Sequence, residues 1–434
     1  MLRDSETDTT ARQSLDVTSE GSDGKLFDVI VVGAGPGGAT CAWKCAEDHG
    51  LRVLLLERAA SLPRYKPCGG GIPSSLASHV PGIADSLSEF SDLTVTRLRH
   101  SWKGKMPISA PLETTSGEPA AVWMVQRPRF DSWLAGRATG AGATLMTGVK
   151  VSDVQVDAEG VTVSTAAGAS YRGRVVVGAD GAKGIVGART GLRLRKRYGI
   201  AREIEIPFPA PADGTPWHPA LEPGAAYLDY GTVPNGYAWI FPKQGYLSVG
   251  AGMLLPSEPT PDTEKNVGRV LKDAIVTLLR SVGLAYPDAE EQAGIKLWAH
   301  PIPYWTGIEP LATADGRVLL VGDAAGVVQP LFGEGIQYAV RTGALAAACI
   351  AEGTTAVAER YTEGVRDLFG AEFDAAERVG RMFHRAPYLS YRFGVKNPAG
   401  TRLVGRIMAG ETSMAQMETR IYDRLHVPRT LRPK

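Results

Sequence analysis

The stretch from Asp28 to Glu57 constrains this chain more than any other. Asp28-Val-Ile-Val-Val32 is a short β-branched run ending in glycines, the pattern of a buried parallel strand. Gly33-Ala34-Gly35-Pro36-Gly37-Gly38 matches G-x-G-x-x-G and opens an alanine-rich helix to about His49. Leu51 to Leu56 reads as the next strand, which completes a βαβ unit. Gly33 permits the tight turn, Gly35 lets backbone approach a pyrophosphate, and Gly38 lets helix and strand pack closely. The helix start offers unpaired N–H groups and partial positive charge to phosphate. Glu57, 19 residues past Gly38, is placed to accept hydrogen bonds from ribose hydroxyls. This unit predicts a dinucleotide site and leaves FAD and NAD both open.

The rest of the chain decides the organisation. Its 434 residues are 44% hydrophobic, enough for two or three domains with large cores. A net charge of +1 gives no reason to expect nucleic acid. No apolar run approaches the roughly 20 residues that span a bilayer. Residues 1–26, rich in acids and without an apolar core, read as a disordered tail. Cys41, Cys45, Cys68 and Cys349 have no metal or disulfide spacing, so no metal and a cytoplasmic setting are expected.

The region from Ser61 to Ala121 has weak periodicity. A helix is predicted from Phe130 to Ala141, a hairpin over Val149 to Val163, and a buried strand over Tyr171 to Val177. Alternating strands follow at Ala201–Ile206, Ala225–Tyr230, Tyr237–Phe241 and Tyr246–Met253, with one helix near Glu264–Val282. A buried strand returns at Arg317–Val321, then a helix over Gly335–Ala351, and the remainder reads as helical. The expected class is α/β (α+β overall). Residues 27–80, 121–195 and 304–355 form a discontinuous Rossmann-type domain. Residues 81–120 and 196–303 form an antiparallel-sheet domain, and 356–434 a helical region.

Three further motifs favour FAD. Arg317-Val-Leu-Leu-Val-Gly-Asp323 ends a strand in Gly-Asp, as in group A flavoproteins of the hydroxylase type, where the Asp accepts from the ribityl chain. Capping the next element would explain Asp323 equally. Gly333-Glu-Gly335-Ile336 opens a helix whose N-terminus would face charge building up on a reduced flavin. Val176-Val-Gly-Ala-Asp180-Gly181 is similar to the hydroxylase Asp-Gly motif, but Gly184 and Gly187 stand where Ser and Arg usually follow. Arg127, in Arg127-Pro-Arg-Phe130-Asp131, resembles the helix-entry arginine that contacts FAD in such proteins.

Pro63-Arg-Tyr65-Lys-Pro67-Cys68-Gly69-Gly70-Gly71-Ile72-Pro73, Tyr237-Ala-Trp239-Ile-Phe241-Pro242-Lys243 and Val321–Pro330 with Gly333–Ile336 together resemble the geranylgeranyl reductase family, from about Phe27 to Arg424. That family includes archaeal lipid, chlorophyll-pathway and menaquinone side-chain reductases. The resemblance implies an FAD-dependent enzyme that saturates isolated double bonds of a polyprenyl chain. The external electron donor is left open between NADPH, ferredoxin and another carrier. The resemblance also implies that Cys68, Gly69 and Gly71 line the flavin, with Arg58 and Val151 among its further contacts. Tyr237, Trp239 and Phe241 alternate, so they share one strand face. By resemblance they line the isoprenoid channel, although a buried sheet face would look the same.

An isolated alkene is electron-rich and has no carbonyl to accept charge. Hydride delivery must therefore be matched by a proton from a positioned acid or water. Cys68 is the first candidate and Tyr237 the second. Two alternatives share these motifs: a flavin monooxygenase or halogenase, and a non-catalytic lipid carrier that keeps FAD. From Arg381 onward, eleven Lys and Arg stand against three acids, which suggests peripheral contact with an anionic membrane.

Overall fold

The structure is a computed structural model that describes residues 26–192, 197–209, 214–256, 261–287, 298–307, 310–353 and 356–424, with 426, 428 and 432. The tail predicted for residues 1–25 lies outside them. Leu26, placed in that tail by its sequence, instead opens the first strand, paired with Arg172.

The chain begins β1 (Leu26–Val32), α1 (Pro36–Glu47), β2 (Val53–Leu56), β3 (Gly71–Pro73), α2 (Leu76–His79), α3 (Leu87–Phe90). It continues β4 (Ser91–Val95), β5 (Arg97–Trp102), β6 (Lys105–Pro111), β7 (Val122–Val125), α4 (Arg127–Gly140), β8 (Thr144–Met146), β9 (Val151–Val156), β10 (Val161–Thr165), β11 (Ser170–Gly178), α5 (Val186–Arg189). Then come β12 (Arg197–Pro207), β13 (Ala225–Tyr230), β14 (Gly236–Lys243), β15 (Tyr246–Leu254), α6 (Pro261–Ser281), β16 (Trp298–Tyr304), β17 (Val318–Leu320), α7 (Ile336–Ala351). The C-terminal helices are α8 (Val357–Val365), α9 (Ala371–Arg385), α10 (Pro387–Leu389), α11 (Pro398–Met408) and α12 (Met414–Arg424).

One sheet runs β8-β2-β1-β11-β10-β9, with β17 joining the far half of β11. Its β8, β2, β1, β11 and β17 pairings are parallel, as buried strands with continuous apolar sequence should be. Helices α1 and α7 cross at backbone contact. A Cβ on Gly343 would sit 2.2 Å from the Gly37 oxygen, so only glycine fits there. That crossing aims both helix N-termini at one cleft.

The second sheet runs β16-β12-β15-β14-β13-β5-β6, antiparallel except where β13 lies parallel to β5. One face is sealed by α6, whose Leu271, Ala274, Ile275 and Leu278 recur at helical spacing against Ile204, Ala238, Ile240 and Val249. Each fully buried Leu or Ile of this set contributes about 1.5–3 kcal/mol. The opposite face carries the aromatic residues and meets the C-terminal helices through Tyr391 and Val395. A small sheet, β3-β7-β4, stands between the two large ones in sequence and carries the Cys68 loop into β3.

Candidate active site

The dinucleotide turn is built by exclusion. Gly33 has φ +106°, and a Cβ there would lie 2.4 Å from the Ala179 oxygen. A Cβ on Gly38 would lie 2.0 Å from the Gly33 oxygen and 2.7 Å from Ala179 Cβ. α1 starts at Pro36 after Gly35 with no side chain capping its first amides. α7, after Gly335, also has no side-chain cap. Both helix starts can therefore receive a ligand.

Glu57 is buried. Its Oε2 accepts from the Ala34 amide at 3.0 Å and its Oε1 from the Ala59 amide at 2.9 Å, so it also pins the turn. Arg64, which no sequence rule singled out, sits 3.4 Å from Glu57, 3.3 Å from Asp131, and 3.6 Å from where a Gly35 side chain would begin. Arg127 makes two bonds of 2.8 Å to Asp131, with both side chains buried. Burial works against the Arg127 charge, but Asp131 and the neighbouring Cys68 more than offset it and hold the guanidinium charged.

Other expected contacts divide. Arg58 is exposed just past Glu57, and the Val151 side chain is packed in the core at the start of β9. Asp180, expected as a cofactor contact, has a local structural task. Its Oδ2 accepts from the amides of Ile185 and Val186 at 2.6 and 2.9 Å, so the carboxylate caps α5. Asp323 lies in a single turn after β17, with Lys66 at 3.7 Å.

The second sheet supplies the other wall. Register places Tyr237 beside Gly252, Trp239 beside Gly250 and Phe241 beside Ser248, all on one face. A Cβ on Gly250 would lie 2.1 Å from the Trp239 ring, so the two glycines of β15 are the floor on which the indole lies. Ring centroids step from Tyr237 to Trp239 at 6.1 Å and on to Phe241 at 6.2 Å. The same face continues to Glu203 and Ala201 of β12 and to His300 of β16. Burial lowers His300 to about 4, so it is neutral at physiological pH.

The Cys68 loop closes over this face. A Gly69 Cβ would lie 2.9 Å from the Phe241 ring. Gly70, at φ +66°, is held by Lys243, whose Nζ donates to the oxygens of Gly70 (3.2 Å) and Val125 (2.9 Å). Burial lowers Lys243 to about 8. One cavity joins Pro36, Cys68, Asp323 and Gly335 to Tyr237, Trp239 and Phe241. The Tyr237 hydroxyl donates to the Phe332 oxygen at 2.5 Å, and burial makes it a weaker acid still. Tyr237 is therefore better placed as wall than as acid.

At the α7 end, burial pushes Glu334 up to about 8 and Glu372 up to about 7. Folded protein thus keeps protons that the unfolded chain releases near the ordinary value of 4.5. Stability from this source is complete below that value and lost as pH rises. The melting temperature should fall between about pH 5 and 8, and Glu334→Gln should flatten that fall; calorimetry across the range checks both.

The FAD binding domain family profile matches residues 27–220. The chain is 34% identical over 326 residues to the geranylgeranyl diphosphate reductase of Rhodobacter capsulatus, which covers 74% of each chain. The chain belongs to the geranylgeranyl reductase family. A second relative, digeranylgeranylglycerophospholipid reductase 2 of Methanopyrus kandleri, is 29% identical, covering 82% of this chain and 86% of its own.

Solved structures agree on the fold alone. A geranylgeranyl bacteriochlorophyll reductase-like protein of Thermoplasma acidophilum matches at TM-score 0.69 and 20% identity, covering 94% of this chain and 97% of its own. A flavin-dependent brominase matches at 0.65 and 20%, covering 93% and 99%. The geranylgeranyl reductase fold here is thus mixed α/β, with the FAD-binding domain of hydroxylase- and halogenase-like flavoproteins and a helical C-terminal region. The enzyme is an FAD-dependent oxidoreductase, and its residues fit the cofactor. Two uncapped helix starts face one cleft, and Gly35, with no side chain, leaves backbone open to the pyrophosphate.

Proposed function

We propose that this reductase saturates isolated double bonds of a geranylgeranyl or related polyprenyl chain. One observation carries the reading: the cleft at Asp323 and Gly335 is continuous with the Tyr237–Trp239–Phe241 face in a single cavity. The continuity supports a flat ring on one side and an extended apolar chain on the other. Gly33 to Gly38, Glu57, Arg64, Arg127, Asp323, Gly333, Gly335 and Ile336 would hold FAD, and Cys68, Gly69 and Gly71 would border its ring. Reduced FAD supplies the hydride. Trp239 and Phe241 exclude water and present π faces to positive character at the tertiary carbon, an interaction worth about 2 kcal/mol where desolvated. Replacing Trp239 by Ala should lower the anaerobic reduction rate by at least about tenfold at unchanged FAD content. A wild-type rate in that variant would contradict the assignment of the aromatic face.

The same reading extends to a membrane. Among the described residues no helix is long and apolar enough to cross one. At the C-terminal end, Leu389 is 54% and Phe393 68% exposed, beside Arg385, Arg392 and Lys396. Apolar side chains within a basic surface suit the interface of an anionic leaflet, where each basic residue contributes about 1 kcal/mol. Flotation should recover the protein with anionic vesicles and lose it with neutral ones or at high salt. Leu389→Asp with Phe393→Asp should weaken recovery with anionic vesicles.

A further inference from the structure

We propose that Glu203 is the catalytic acid that protonates the alkene. This rests on the reductase reading above. Glu203 sits in β12 at the level of Trp239, separated from it in the sheet by Gly250 alone. Since Gly250 has no side chain, the Trp239 indole lies over it toward Glu203, and both residues line the same cavity. Glu203 is only 4% exposed. Ser248 Oγ donates to its Oε1 at 2.7 Å, and Trp239 Nε1 in turn reaches Ser248 at 3.4 Å. The acid and the aromatic wall are therefore positioned by one shared hydroxyl.

A buried carboxylate ordinarily requires a cation, because desolvation of the charge is costly. The two cations that act on it are bonded elsewhere. Lys243 donates to the Gly70 and Val125 oxygens, and Arg127 is bonded to Asp131. No salt bridge to Glu203 occurs among the described residues. The groups facing it are Glu205 on its own strand, Ser248 and Tyr246 on β15, Lys243 on β14, Arg127 on α4 and Tyr65 from the loop before β3. Burial and Glu205 raise its affinity for a proton; Ser248, Lys243 and Arg127 lower it; the balance is about 7. That is near the operating range at which general acids work best. Tyr237, by contrast, has its hydroxyl proton directed at Phe332.

In the step itself, the Glu203 O–H bond breaks and the alkene π pair takes the proton to form one C–H bond. Glu203 is left as a carboxylate, and the neighbouring carbon would be closed by the hydride that bound reduced FAD would supply. Glu205 lies two residues along on the same face and contacts Tyr65, which is 39% exposed. It provides the route by which solvent returns the proton.

The test uses FAD-loaded protein, photoreduced without oxygen and mixed with geranylgeranyl diphosphate. Glu203→Gln keeps the shape and the Ser248 bond, so flavin content and melting temperature should hold while single-turnover reduction falls by about a hundredfold or more. Cys68→Ser should lose less than tenfold. Independently of turnover, infrared spectra should show a protonated carboxyl that titrates near pH 7 in wild type and is missing in Glu203→Gln. Wild-type reduction should decline as pH rises through about 7. Ser248→Ala removes a bond that favours the carboxylate and should shift that decline to higher pH, a movement that a merely structural role would not produce. Should Glu203→Gln fail to fold, Ser248→Ala and the wild-type titration decide. Wild-type turnover in Glu203→Gln, a large loss confined to Cys68→Ser, or a pH limb unmoved by Ser248→Ala overturns the inference. No reduction by wild type overturns the functional reading and the inference with it.

Discussion

Gly38→Val should yield a protein that binds no FAD. The first added carbon would lie 2.0 Å from the Gly33 oxygen and 2.7 Å from Ala179 Cβ, both parts of the rigid end of the parallel sheet. Neither can retreat without carrying β1 or the turn after β11 with it. α1 would have to lift, and its first amides would leave the cleft. Such overpacking costs about 3 kcal/mol or more, and the whole displacement falls on the pyrophosphate site. Absorbance of the purified variant and flavin titration read the loss directly. Gly136→Ala is the control. Nothing lies within 4 Å of its added carbon, in the middle of α4, so it should gain about 0.5–1 kcal/mol of stability with full FAD content. If Gly38→Val bound FAD like wild type, the turn would not be where the pyrophosphate sits.

Arg127→Ala should be the most destabilising change at the site. Arg127 and Asp131 are 4% and 0% exposed and joined by two hydrogen bonds. Removing the guanidinium leaves the Asp131 carboxylate buried, with only Arg64, at 3.3 Å, to offset it. Breaking a buried pair from one side costs about 3–5 kcal/mol. The double change Arg127→Met with Asp131→Leu removes both charges and should recover most of that loss, while FAD affinity stays reduced. Denaturant unfolding of the three proteins measures the difference. Equal stability of Arg127→Ala and wild type would mean that the pair carries no structural weight.

The parts of the site that depend on local sequence were legible, and those that depend on register were not. Gly33 to Gly38 and Glu57 lie within one βαβ unit, so their spacing alone places them. The alternation of Tyr237, Trp239 and Phe241 correctly predicted a shared face. Glu203 lies in a stretch that also reads as a strand, yet which of its faces turns inward depends on pairing with Gly250 across β15. No local pattern carries that information. Arg64 reaches Glu57 and Asp131 from a loop with no periodicity, and Lys243 acts only once β14 passes beneath Gly70. Between Ser61 and Ala121 the sequence carries few signals because β3 is only three residues long and β4 to β6 are only partly buried. The cap that Asp180 Oδ2 makes on α5 is likewise not announced by its Asp-Gly motif.

In this enzyme, electrons leaving the flavin should enter an isolated double bond. The direct measurement is strictly anaerobic incubation of chemically reduced holoprotein with a geranylgeranyl diphosphate or geranylgeranyl lipid, followed by mass spectrometry of the isoprenoid. The flavin should be reoxidised on substrate addition, with a product heavier by two hydrogens for each bond reduced. An isoprenoid recovered unchanged without oxygen, or modified only when oxygen is admitted, would contradict this reading.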